Sequence, residues 1–196
     1  MVLFLSIIAY LMGSIPSGYL LVKKYMNLDL REHGSGGTGA TNARRIGGKK
    51  IGTLTATCDI LKALIPTCAA DIILQLSNPN YNRPLMLSII GLCAILGHNY
   101  SVYLKFQGGK GVATTIAVFA YIVPIPSIIA ICTFLGLKVF TKIVSIRSMC
   151  YGVVLFLSTL ILKYDLYYVI FTFVACVLIF WRHRANIVRI MNGTEK

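Results

Sequence analysis

The chain has 196 residues, of which 57% are hydrophobic and only 13% charged, against about 25% charged in an average soluble domain. Too few charged groups remain to coat a soluble surface. The 19 basic and 6 acidic residues give a net charge of +13. That excess lies between long apolar runs, as in a membrane protein, and not on the polar surface of a nucleic-acid-binding domain. A lipid bilayer is the expected partner, and no nucleic acid is.

The apolar runs define the elements. Residues 1–22, 84–104 and 111–137 are each measured against the ~20 residues that an apolar helix needs to cross a bilayer. Segment 51–76 is apolar apart from Asp59, Lys62 and Asp71, and the shorter runs 148–162 and 166–181 are separated by Lys163-Tyr164-Asp165. Gly13-Ser14-Ile15-Pro16-Ser17-Gly18 resembles a cleavage site, but no basic stretch precedes residues 1–22, so they are read as a retained span and not a removed signal.

Lys and Arg near helix ends stay on the cytoplasmic side. Lys23, Lys24, Arg31, Arg44, Arg45, Lys49 and Lys50 place link 23–50 inside and the N-terminus outside. Link 77–83 carries only Arg83 and is outside. Lys105 and Lys110 are inside, as are Lys138, Lys142 and Arg147, then Arg182, Arg184, Arg189 and Lys196. Segment 111–137 thus starts and ends on one side, and Pro124 and Pro126 at its middle, where proline breaks a helix, mark the tip of a hairpin. The same parity folds 148–181 into a hairpin at 163–165. The expected fold is an all-α integral membrane protein with seven transmembrane helices, some short, its N-terminus outside and its C-terminus cytoplasmic. Residues 1–196 are read as a single domain without internal repeats.

Cys58, Cys68, Cys93, Cys132, Cys150 and Cys176 form no close pair and no zinc-type spacing. They are expected to be small buried side chains, and neither metal nor cofactor is expected.

The chemistry-bearing residues gather on the inside links. Gly34-Ser35-Gly36-Gly37-Thr38-Gly39-Ala40-Thr41-Asn42, followed by Arg44 and Arg45, combines backbone freedom, hydroxyl donors and a guanidinium fork, which suits a phosphate. Gly34, Gly36, Gly39, Thr41 and Asn42 are read as phosphate-binding. The run is neither a Walker A loop, lacking Gly-Lys-Ser/Thr, nor a Rossmann loop, lacking strands. A second link, from Gly97-His98 to Gly108-Gly109-Lys110-Gly111, brings a lysine to a helix start, which attracts anions. Ser145, Arg147 and Ser148 open the sixth helix, and His183 and Asn186, three apart, share a helical face. Asp59 and Lys62, also three apart but in apolar surroundings, are read as a buried pair that neutralises itself, with His98 as a packing group.

Together, Gly-Ser-Gly-x-x-Gly-Ala-Thr-Asn at 34–42, Asp59-x-x-Lys62, Gly97-His98-x-Tyr100, Phe106-x-Gly-Gly-Lys-Gly-Val-Ala-Thr114 and Arg182-His183-Arg-x-Asn186 resemble the PlsY family of bacterial membrane acyltransferases. The resemblance implies acyl transfer from acyl-phosphate to glycerol 3-phosphate, without a cofactor, at the cytoplasmic face of the inner membrane, seven helices, and an interaction with the acyl-phosphate-producing enzyme. It assigns Ser35 and Arg45 to phosphate, with Gly108 and Gly109 beside Lys110. Lys110 and Ser148 are assigned to phosphoryl groups, and His183 and Asn186 to glycerol 3-phosphate. Asp59, Lys62 and His98 are supporting residues. The chain departs from the family pattern at Gly37, Ser101, Gln107 and Ala185, where Asn, Pro, Lys and Glu are usual.

Acyl-phosphate is an activated mixed anhydride, so no cysteine nucleophile is needed. None of the three histidines has an aspartate five residues later, which excludes the His-x-x-x-x-Asp type of acyltransferase. The rival reading is a small transporter of a phosphorylated metabolite. Such a protein should carry polar or broken helices at the bilayer midplane, where only Asp59 and Lys62 qualify.

Overall fold

The structure, a computed structural model, describes residues 1–195; Lys196, counted as inside by charge, lies outside the described residues. The chain divides into two compact units, Met1–Val118 and Phe119 onward. Nine α-helices are described: α1 (Val2–Ser14), α2 (Ser17–Met26), α3 (Ala40–Ser77), α4 (Arg83–Asn99), α5 (Val112–Ile122), α6 (Pro124–Gly136), α7 (Val144–Ile161), α8 (Leu166–Arg182) and α9 (Arg184–Met191).

Among the described residues, four helical stretches are long and apolar enough to cross a membrane: Val2–Met26, Ala40–Ser77, Arg83–Leu104 and Val144–Ile161. A fifth is counted if α8 and α9, bent by 56° at their junction, form one span. The expectation of seven crossings is therefore met only in part. At 1.5 Å per residue, α5 and α6 extend roughly 16 and 20 Å, against a hydrocarbon core of about 30 Å.

In the first unit, Pro16 ends α1, because proline lacks the N–H that would continue the helix. The carbonyls at this break find side chains instead. Ser14 O accepts from Ser101 Oγ at 2.5 Å and Ile15 O accepts from Lys62 Nζ at 2.7 Å. Satisfying them is obligatory in a low-dielectric setting. Helices α1 and α4 pack together, and Gly13 and Gly97 allow the approach: a Cβ on either would collide with the other helix's backbone.

Helix α3 begins at Ala40, eleven residues before the apolar run that starts at residue 51, and Gly48, at φ +79°, kinks it. Link 23–50 is thus not a loop throughout, since Thr41 to Arg45 are helical. Beyond the kink, Thr55, Asp59, Lys62, Ala63, Pro66, Thr67, Ala70 and Asp71 are buried at helical spacing while Leu54, Leu61, Ile65 and Ile72 face outward. Small and polar side chains inside with large apolar ones outside is the pattern of a helix in lipid. Asp71 is matched across the 78–82 turn, where it accepts from Arg83 Nη2 at 2.7 Å and from the Tyr81 hydroxyl.

In the second unit, Val123 is the non-helical residue before Pro124 starts α6, as proline favours the first helical position. Helix α7 packs on α6 and α8. The 163–165 turn is where parity places it: Lys163 adopts φ +54°, Asp165 caps α8 by accepting from Tyr167 N at 2.8 Å, and Phe156 meets Phe173 with ring centroids 5.3 Å apart. The cysteines correct the sequence reading: only Cys176 is buried, and Cys58 and Cys132 are exposed. A thiol behaves as a small apolar group, so an outward face meant for lipid accepts it as readily as the interior does.

Candidate active site

In the first unit, the glycine-rich segment is shaped by one side chain. Asn42, in the first turn of α3, is buried and turns its amide into the loop before it. Its Oδ1 accepts from Ser35 N at 2.9 Å, and its Nδ2 donates to His33 O at 2.9 Å, Gly37 O at 3.0 Å and Leu30 O at 3.2 Å. Gly34 lies so close to Asn42 Oδ1 that a Cβ would overlap it, and its φ is +63°. The side chain of Asn42 therefore braces the loop, a different task from the phosphate contact read from sequence. Ser35, Gly36 and Thr41 remain exposed. Gly39 caps α3 without a side chain, which suits an anion at that helix start. Arg44 and Arg45 are exposed on the same short helical piece. Beside it, Arg31 meets Asp29 at 2.6 Å, and the donation from the Arg31 side chain holds the Asp29 carboxyl down at about 2.

The second loop is tied to α1 and α4. Tyr10 donates to Tyr100 O at 2.8 Å, Phe106 N reaches Ser101 O at 2.8 Å, and Gly109 N reaches His98 O at 3.0 Å. Lys105 and Phe106 both take positive φ, 53° and 62°, an uncommon conformation for non-glycine residues that the surrounding bonds must hold. Lys110 is half-buried at the start of α5. Asp59, Lys62 and His98 come together as a buried cluster. Lys62 Nζ lies 2.8 Å from Asp59 Oδ1 and His98 Nδ1 lies 3.5 Å from the same oxygen.

In the second unit, Ser148 and Arg147 are buried at the start of α7. Ser148 Oγ donates to Val144 O at 2.9 Å, so its lone pairs are left to accept. The Arg147 guanidinium lies 5.1 Å over the Phe134 ring. His183 sits at the α8–α9 bend, where its Nδ1 donates to Ile179 O at 2.8 Å, which orients the ring. His183 is the residue at which α8 bends into α9, and Asn186 lies in the first turn of α9, so the two share a helical turn as their spacing of three suggests, with Ile187 N bonded to His183 O at 2.9 Å.

Glu195 is absent from the sequence-based set, yet it joins three donors. It accepts from Asn186 Nδ2 at 2.5 Å, Arg189 Nε at 2.7 Å and Ser145 Oγ at 3.0 Å. Burial pushes its carboxyl up, but donation from Asn186, Arg189 and Ser145 outweighs this and lowers it. A lowered folded value means the latch is complete above the ordinary glutamate range and is lost as pH falls through the folded value. Arg184 stacks 5.0 Å over Trp181, the single tryptophan, so fluorescence should show an acid transition. Glu195→Gln should remove that transition; the same transition in the variant would exclude Glu195 as its source.

No group of three or more His, Cys, Asp or Glu side chains placed to hold a metal occurs among the described residues. The donor set is instead one for anions: backbone N–H, hydroxyl, amide and cationic groups. The family model of glycerol-3-phosphate acyltransferases matches residues 3–193. The chain belongs to the glycerol-3-phosphate acyltransferase family. The glycerol-3-phosphate acyltransferase of Clostridium acetobutylicum is 38% identical over 96% of each chain. That of Endomicrobium trichonymphae is 41% identical over 96% of this chain and 92% of its own. Among solved structures, the glycerol 3-phosphate form of the integral membrane acyltransferase PlsY covers all of this chain and 94% of its own, at 36% identity and a TM-score of 0.89. Its lysophosphatidic acid form gives 35% identity and a TM-score of 0.86. The family is thus one of integral membrane acyltransferases, in keeping with the apolar helices described above.

Proposed function

We propose that this chain transfers a fatty acyl group from an acyl-phosphate to glycerol 3-phosphate, giving 1-acyl-glycerol 3-phosphate (lysophosphatidic acid) and phosphate. The observation that carries the reading is the whole-chain likeness to PlsY in its glycerol 3-phosphate form. The anion-directed donors of both units support it. Ser35, Arg45 and the loop residues Gly34, Gly36, Gly39 and Thr41 bind phosphate, with Asn42 keeping the loop in shape. Lys110, flanked by Gly108 and Gly109, and Ser148 hold phosphoryl groups. His183 and Asn186 hold glycerol 3-phosphate, and Asp59, Lys62 and His98 support the site.

The donor is already activated, so the protein's task is to position two anions and stabilise the charge that develops. The glycerol hydroxyl oxygen attacks the acyl carbonyl carbon, the bond from that carbon to the phosphate oxygen breaks, and the departing phosphate takes the hydroxyl proton. His183 then serves as a positioning group and no acyl-enzyme forms.

Residues 1–196 act as one acyltransferase domain in the bacterial cytoplasmic membrane, with seven helices, the N-terminus outside and the active face inside. The family match running through both units and the basic links support this arrangement. The enzyme that supplies acyl-phosphate is the expected partner. In a cysteine-free background, an impermeant thiol reagent outside intact cells should label a cysteine at Asp165 and spare one at Lys142. Labelling at Lys142 would overturn the topology.

Purified protein given palmitoyl-phosphate and glycerol 3-phosphate should release the lysolipid, and should do so in the presence of chelators and thiol-blocking reagents. Folded protein that forms none would return the transporter reading to first place. Given palmitoyl-phosphate alone, the protein should carry no covalent acyl group, and His183→Gln should retain measurable turnover. A trapped acyl-enzyme would sink direct transfer.

A further inference from the structure

The buried charges of the first unit are wired to the glycine loop in a way that neutralisation alone does not explain. Asp59 and Lys62 have side chains only 2% and 6% exposed, and a carboxylate and an ammonium that merely cancelled would need no third group. A third group is present. The His98 ring, 5% exposed, turns Nδ1 toward Asp59 Oδ1 at 3.5 Å. Its opposite edge lies against Gly109, so closely that a Cβ there would overlap His98 Nε2. The backbone repeats the contact, with Gly109 N donating to His98 O at 3.0 Å, and Gly108 rests on the carbonyls of His98 and Asn99. On the other side of Lys110, Gly111 adopts φ +78° against the Asn99 side chain, where a Cβ would lie 2.6 Å from Oδ1. Lys110 is thus suspended between two glycines seated on consecutive residues at the end of α4, and the first of those seats is held by Asp59.

We propose that Asp59 is a positioning residue for Lys110, acting through the His98 ring on the Gly108–Gly109 backbone. Lys62 fixes the same carboxylate oxygen at 2.8 Å while its own ammonium is anchored on Ile15 O, so the orientation of the imidazole is referred back to the α1–α2 break. A carboxylate that fixes an imidazole's orientation in this way sets which edge the ring presents to its neighbour. Small displacements of a group that must meet developing charge are costly to rate: about 1 Å of misplacement can remove 10²-fold. This inference rests on the assignment of Lys110 to a phosphoryl group.

The test separates positioning from neutralisation in the full-length protein. Wild type is assayed first with palmitoyl-phosphate and glycerol 3-phosphate, so failure of the proposed function is seen as an inactive wild type. The combined variant Asp59→Asn/Lys62→Met removes both charges and leaves no unpaired ion. We expect wild-type thermal stability in detergent and a loss of about 10- to 100-fold in kcat with little change in KM. The variant that also carries Lys110→Ala should then be no slower than Lys110→Ala alone, since residues acting through one group do not contribute independently. Stable protein with wild-type kcat, or losses that multiply with that of Lys110→Ala, would reduce the cluster to charge neutralisation. If the combined variant does not fold, His98→Asn provides the same reading, because it leaves the Asp59–Lys62 pair intact. It should show the same kcat loss and the same lack of additivity, and normal turnover by folded His98→Asn would overturn the proposal.

Discussion

Lys110→Ala should lower kcat by about 10²- to 10³-fold, the loss typical of removing one preorganised group that meets charge developing in the transition state. The lysine stands where a glycine loop gives way to α5, and the charge it is proposed to meet grows on the phosphate as the acyl–oxygen bond breaks. Arg45→Ala should behave differently. Its guanidinium is exposed on the short helical piece beside the Ser35 loop and is proposed to hold phosphate equally in ground and transition states. Loss of such uniform binding raises KM and spares kcat. A charge-assisted hydrogen bond contributes about 1.5–3 kcal/mol, so KM for glycerol 3-phosphate should rise about 10- to 100-fold. Steady-state kinetics of the two variants, with both substrates varied, checks the contrast. Near-normal kinetics in both would reduce the two loops to linkers and membrane-surface anchors.

Asn42→Ala should abolish most activity by a different route. One buried amide accepts from Ser35 N and donates to three carbonyls of segment 30–37. Truncating it takes the partner from Ser35 N and Gly37 O, each at a cost of about 1–3 kcal/mol if they stay buried, and leaves Leu30 O and His33 O with only the backbone donors His33 N at 3.5 Å and Gly36 N at 3.2 Å. The loop will instead open to water and lose the shape that presents Ser35 and Gly36. A fall in kcat/KM of at least about 100-fold is expected, equivalent to about 2.7 kcal/mol of lost transition-state stabilisation, together with protease sensitivity confined to the loop. Asn42→Asp is the informative companion. It keeps an acceptor for Ser35 N but loses the three donations and adds a negative charge beside the proposed phosphate site, so it should fail as badly. Wild-type activity from folded Asn42→Ala would remove the brace.

The chain's own order was enough for whatever depends on near neighbours. Apolar run lengths marked most of the helices, although Pro16 splits the run 1–22 and α3 starts before its own run; Pro124 marked the start of α6, and the Lys163–Asp165 polar break marked the α7–α8 turn, because helix formation and its interruption are local. The donor-rich loops were legible for the same reason, since their glycines, hydroxyls and cations are contiguous. Side-chain direction was not legible. Asn42 reads as a ligand in a list of donors, but the backbone that curls around it turns its amide inward. Glu195 carries no signal in a tail of exposed residues until folding brings Ser145, 50 positions away, within reach. Asp59 and Lys62 were visible as a pair because helical spacing joins them. Their link to His98 and the Gly109 backbone was not, because it exists only once α3 and α4 pack. The cysteines make the converse point: which face of a helix looks outward is settled by tertiary packing, and a small apolar thiol is accepted on either side of that choice.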